Sequence, residues 1–338
     1  IKLLIGHLSD MLGTKNFILT ALAGLGIVCV LLAKADRLLA FTVLMAALGI
    51  FRGIFLAVSG SYVMEMANSG EYGKIYGAVQ GISSLLASVG GMISGLLYQF
   101  KEGEYALYIC SFLLIASTLW AAIGLKNNQC MHGERLPILQ IFKSINKRIL
   151  IFCVLVFIQS FVAGPMWSFI IPMYCYNVLL FSPAKLGILM SMDELIGAPT
   201  YMLAGRVVDK VNVVKFNILF LLITALGGLF LIKSPTPTIF MVVFLICSVS
   251  ISCTFVGIPK ERIGFIRKEQ KGFELALISV CGSLGDSLGN NVLGRVAEKY
   301  TIDQCMYIFS AYYVVMALLV ATPLLFPHFR FASGKQEQ

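Results

Sequence analysis

Charge is scarce in this sequence: Asp, Glu, Lys and Arg make up 13% of its 338 residues, while 58% are hydrophobic. The mean hydropathy of +0.87 lies well outside the range of a soluble domain of this length, which carries about 25% charged residues. The composition is that of a membrane protein, and soluble enzymes and binding modules drop out. Metal-ligand spacing is missing too. The nine cysteines include no CxxC pair and no ligand-like spacing with the three histidines. Cys29, Cys110, Cys153, Cys247 and Cys281 lie inside apolar runs, where cysteine packs as a small hydrophobe. His7, His132 and His328 lie at or beyond the ends of those runs. Neither a metal nor a cofactor is expected. No charged region precedes an apolar core at Ile1, so no signal peptide is visible. No loop carries the paired acidic or metal-binding residues that a membrane enzyme, such as a lipid-linked transferase, needs near the surface. The loop of Lys260, Glu261, Arg262, Arg267, Lys268 and Glu269 is charged, but it reads as a basic anchor.

What the chain has is a series of apolar runs, each long enough at roughly 20 residues to cross a bilayer. They are Phe17 to Ala33, Leu38 to Met66, Lys74 to Phe100, Tyr105 to Leu125, Ile149 to Val178, Pro183 to Val208, Val213 to Ile232, Thr238 to Ile258, Gly272 to Leu293 and Cys305 to Phe326. Pro165 and Pro172 should kink the fifth, which a membrane helix tolerates among neighbours. The longest polar stretch, Lys126 to Arg148, divides the chain. Ile138, Leu139, Phe142 and Ile145 in it fall at helical spacing, as in an amphipathic helix lying on the membrane face. Alternate loops carry about 17 Lys and Arg on one side against about seven on the other, which makes the linker side cytoplasmic. The formal charge of +9 is thereby a membrane-orientation signature, and no nucleic-acid partner is expected.

The chain also repeats itself. A polar turn runs from Gly6 through Asp10 and Gly13 to Lys15, and 199 positions later Gly205 and Asp209 restore the spacing of Gly6 and Asp10. The same offset lays Gly73 to Gly95 onto Gly272 to Gly294, matching Ser84 to Ser283, Ser88 to Ser287 and Gly90 to Gly289. One offset serving two separate stretches marks a duplicated half, a common plan for transporters. Carried to the start of the chain, it places about 50 residues, two helices, upstream of Ile1. The organisation expected is the remainder of an amino-terminal half (1–125), a cytoplasmic linker (126–148), a six-helix second half (149–328) and a cytoplasmic tail (329–338).

At these residues the chain resembles the major facilitator superfamily. GHLSDMLGTK looks like the signature loop between that family's second and third helices, and GRVVDKV like its echo between helices eight and nine. Met11 and Thr14 stand where the family usually has arginine, while Lys15 keeps the final basic residue. Arg52 matches the arginine of the fourth-helix motif, with Leu56 where a glycine is expected. Val89, Gly90 and Gly91 lack the proline that antiporter members place there. The resemblance implies an all-α membrane fold of two six-helix halves, present here as helices three to twelve plus the end of helix two, in a multi-pass membrane protein. It further implies a secondary transporter of a small organic solute working by alternating access, monomeric and with protons as the candidate driving ion. A membrane enzyme and a non-transporting sensor of the same fold are the alternatives.

Four ionisable residues lie near the middle of their spans: Arg52, Asp193, Glu194 and Asp286. A charge there costs on the order of 3 kcal/mol on insertion scales, so it needs a partner, a wet cavity or a neutral form. Ser279, Ser283, Asp286 and Asn290 fall on one helix face, and so do Arg52, Phe55, Ser59 and Tyr62. Two polar stripes, one from each half, suggest a shared central cavity. Arg52 would supply fixed positive charge, while Asp286 and one of Asp193 and Glu194 would bind a proton or a cationic group. Side chains of those two neighbours point about 100° apart, so one of them faces the cavity. Desolvation raises a carboxyl pKa and suits such a group to proton loading. A static buried ion pair is the competing account. The resemblance makes Gly6, Asp10, Gly13, Lys15, Gly205 and Asp209 a gating motif, in which the aspartates hold neighbouring helix amino ends and close the inner mouth; a plain turn-forming aspartate is the other reading. The glycines Gly73, Gly77, Gly81, Gly91, Gly95, Gly285 and Gly289 are expected to permit close helix contact.

Overall fold

The computed structural model describes residues 8–9, 13–66, 71–99, 103–125, 147–234, 236–263, 271–300 and 302–325. Among them the chain is helical, with no strand. In order come α1 (Thr14–Ala33), α2 (Leu38–Met66), α3 (Tyr72–Gln99), α4 (Gly103–Gly124) and α5 (Lys147–Pro165). A π turn (Met166–Ile170) then leads into α6 (Ile171–Asn177), followed by α7 (Pro183–Val208), α8 (Val213–Ile232), α9 (Pro237–Ile263), α10 (Lys271–Lys299) and α11 (Ile302–Leu325). Long apolar runs become helices because only internal hydrogen bonds satisfy the backbone away from water. Polar side chains mark the starts of α7 and α8. Ser182 accepts from the Lys185 amide at 3.3 Å and is followed by Pro183, and Asn212 accepts from the Lys215 amide at 3.1 Å, both N-cap arrangements. Gly13, at φ 87°, occupies the left-handed region ahead of α1, where a side chain is strained.

Each expected run is helical, but the fifth departs from a simple kink. Pro165 and Pro172 each remove a donor, and between them the helix widens by a residue, with the Ile171 amide bonding the Met166 carbonyl. Among the described residues eight helices are long and apolar enough to cross a membrane, two fewer than the ten runs expected. The remaining two, α7 and α10, have 26 and 29 residues, or about 39 and 44 Å at 1.5 Å per residue. They have the length and fall short in hydropathy, because these are the helices that carry Asp193, Glu194 and Asp286.

The chain forms two compact units, Ile1–Met66 with Leu97–Cys153 and Ile266–Cys281, and Ala67–Leu96 with Val154–Phe265 and Gly282–Gln338. In the first, α1 packs on α2 and α4 around Ile18 and Val58. The Ser111 hydroxyl of α4 donates to the Gly26 carbonyl of α1 at 2.7 Å. Phe112, Trp120 and Ile123 of α4 are turned outward, as a lipid-facing helix requires. In the second unit, α8 packs on α9 and α11, and α9 on α7. Its core is built on Leu189, Leu221, Phe240, Phe244 and Phe309.

Candidate functional site

Inside the second unit, α3 and α7 meet along a seam made for close approach. A Cβ on Gly73 would lie 2.8 Å from the Gly205 carbonyl oxygen, one on Gly77 would strike the Tyr201 carbonyl, and one on Gly81 would lie 2.7 Å from the Ala198 carbonyl. Glycines at i, i+4 and i+8 of α3 therefore let its backbone rest on that of α7. At the seam's lower end, Asp209 covers the start of α3. Its Oδ1 accepts from the Gly73 amide at 3.2 Å and its Oδ2 from the Lys74 amide at 2.9 Å. A carboxylate at a helix amino terminus meets unpaired donors and the positive end of the helix dipole. Lys260 Nζ from α9 lies 2.6 Å from Asp209 Oδ1, with both side chains mostly buried. Further along the seam the buried Ser84 hydroxyl of α3 donates to Glu194 Oε2 at 2.5 Å. Glu194 thus turns to α3, whereas at its neighbour Asp193 the backbone carbonyl accepts from Ser248 of α9 at 3.4 Å.

A second close contact joins α5 and α10. Cβ atoms on Gly285 and Gly289 would strike the Phe157 and Phe161 carbonyls, and one on Gly164 would strike the Asp286 carboxylate. One turn on, the Ser168 hydroxyl donates to Asn290 Oδ1 at 3.5 Å. In the first unit, Arg52 is exposed, while Tyr62 and Phe55 pack against Ile18 and Val58. Lys15 Nζ donates to the Ala122 and Leu125 carbonyls, each at 2.8 Å, so it neutralises the carbonyl end of α4.

The profile of the Major Facilitator Superfamily matches residues 1–290 of the chain. The chain belongs to that superfamily. An uncharacterized superfamily transporter of Methanocaldococcus jannaschii is 21% identical over 326 residues, covering 94% of this chain and 83% of that protein. Two solved structures are also similar. The human organic anion transporter MFSD10 has a TM-score of 0.78 at 16% identity, over 94% of this chain and 80% of that one. The Escherichia coli fucose:proton symporter FucP has a TM-score of 0.72 at 14% identity, over 94% and 87%. These likenesses show a shared fold, and membership makes the chain an integral, multi-pass protein of a secondary-transporter superfamily.

Of the superfamily's signature turn, Gly13 and Lys15 are described, whereas Gly6 and Asp10 lie outside the described residues, as does the linker up to residue 146. The echo turn, Gly205 and Asp209, comes together with α3. Sequence reasoning did not single out Ser84 for Glu194 or Lys260 for Asp209. In the sequence Ser84 is a repeat match to Ser283 and Lys260 a loop anchor, and neither feature points to its partner. The usable signal was the glycine spacing of α3, which fixes the face on which Ser84 also lies.

Proposed function

We propose that this protein moves a small organic solute across the membrane by alternating access, driven by protons, with the α3–α7 seam as part of its inner gate. The observation that carries the reading is Asp209, which holds the amino end of α3 while paired with Lys260. A gate must close firmly and still open. Backbones in contact through glycine separate without interlocked side chains, and a carboxylate bound to amides and a lysine can exchange them for water. The halves that rock are residues 1–125 and 149–328, joined by residues 126–148. Arg52, Tyr62, Asp286 and Asn290, with Asp193 or Glu194, serve the solute and the proton. Proton drive is in keeping with the fucose:proton symporter, and an organic solute with both similar structures, by the names those proteins carry.

The test is transport by the purified protein in sealed vesicles under an imposed pH gradient, screened against sugars and organic anions. Accumulation of at least one solute, abolished by a proton uncoupler, is expected. Uptake that persists unchanged with the uncoupler would remove proton drive, and no gradient-dependent flux of any solute would remove the transport reading.

A further inference from the structure

We propose that Gly164 of α5, one residue ahead of Pro165, forms a seat for Asp286, so that the proton on Asp286 is read out as the setting of the π turn that follows. The proposal deepens the proton-coupling reading and rests on it for its use in transport. The chemistry starts at two prolines. Pro165 has no amide hydrogen for the Phe161 carbonyl, and Pro172 has none for the Ser168 carbonyl. The helix between them has lost rungs at both ends and runs as a π turn over Met166–Ile170. Local widening of this kind recurs at functional sites.

Asp286 lies against the start of this weakened segment. Its carboxylate occupies the space where a side chain on residue 164 would be, so only glycine leaves it room. The freed Phe161 carbonyl rests against Gly289, one turn along α10. One turn beyond Gly164, Ser168 of the π turn donates to Asn290. Gly289 and Asp286 thus meet Phe161 and Gly164 ahead of Pro165, and Asn290 meets Ser168 beyond it. On α5 the charged residues are Lys147 and Arg148, more than four turns before Gly164, and Cys153 lies about three turns before it; the α5 positions against α10 include Phe157, Ser160, Phe161 and Gly164. On α10 itself the flanking charged residues are Glu274 and Arg295, about three and two and a half turns away. An ionised carboxylate at Gly164 repels the carbonyl oxygen of Phe161 that Pro165 leaves without its helical donor, and a protonated one is drawn to it. The two states of Asp286 therefore favour different settings of the broken helix.

The sequence supplies its own reporter. It holds two tryptophans: Trp120 is exposed on α4, and Trp167 sits in the π turn, its ring 5.0 Å from that of Phe244. The Trp167 Nε1 is buried without a hydrogen-bond partner among the described residues, so its emission responds to any donor or acceptor moved beside it. The experiment is the emission of this chain carrying Trp120→Phe in vesicles, followed across pH without solute. A change that titrates as one group is expected, and adding Asp286→Asn should abolish it. A titration that survives Asp286→Asn, or none in the Trp120→Phe protein, would overturn the proposal. Gly164→Ala, which displaces the carboxylate, should move the midpoint, and an unmoved midpoint in folded Gly164→Ala protein would end the role of Gly164. If that variant does not fold, the Asp286→Asn comparison still decides. Because no solute or gradient is used, the readout is separate from uptake: uncoupler-resistant uptake beside an Asp286-dependent titration would refute the coupling and leave the seat standing.

Discussion

Asp209 engages three donors at once, the amides of Gly73 and Lys74 and the ammonium of Lys260. Hydrogen bonds to charged groups contribute roughly 1.5–3 kcal/mol each. An ion pair this sheltered, with side chains 12% and 18% exposed, loses less to solvent than a surface pair does. Asp209→Asn keeps one acceptor oxygen but removes the charge, so it should weaken the closed seam by about 2 kcal/mol, on the order of thirtyfold in population. Hydrogen exchange at the Gly73 and Lys74 amides measures this directly. Faster exchange by about that factor is expected, and unchanged protection would mean that Asp209 is only a turn residue. At this scale the sequence was legible where chemistry is expensive. A carboxylate or arginine in mid-span stands out, as Asp193, Glu194, Asp286 and Arg52 did. A serine in an apolar helix does not, because its hydroxyl can bond its own backbone one turn back, as Ser191 does at Gly187. The role of Ser84 depends on which residue of α7 lies opposite, and that register is a property of the packed pair.

The elements themselves were the most legible part. Runs of apolar residues and their polar interruptions located the long helices among the described residues, because the lipid interior leaves the backbone no other partner; the amphipathic helix expected from Ile138 to Ile145 lies outside them. Less legible was the state of a helix along its length. The two prolines announced a bend in the fifth run, but the π turn also depends on neighbours that support the freed carbonyls, such as Gly289 against Phe161. The seam between α3 and α7 makes a prediction at this scale. Gly77 has no room for a Cβ, since one would strike the Tyr201 carbonyl and lie 3.1 Å from the Gly205 Cα. Gly77→Val should hold the two helices apart and leave the gate open, with uptake falling at least tenfold while the protein remains folded. Thiol labelling of a cysteine placed at Lys74 from the cytoplasmic side reports this, and faster labelling is expected. Wild-type uptake and labelling would show that the seam need not close.

For the whole molecule, one offset shared by two stretches suggested a duplicated half, and the superfamily match over residues 1–290 agrees with the resemblance of its turns. Substrate choice was not visible. It resides in the shape of a cavity whose walls come from many helices, and a fold common to proteins that handle an organic anion and fucose does not by itself fix what enters. The central claim is motion at the α3–α7 seam. The most direct measurement is the distance between spin labels at Lys74→Cys and Lys210→Cys, both exposed positions at its end, on a background without other reactive cysteines. The account predicts two distance populations whose ratio shifts with pH and with transported solute, the longer one rising in Asp209→Asn. A single distance, the same at every pH, with solute and in that variant, would contradict it.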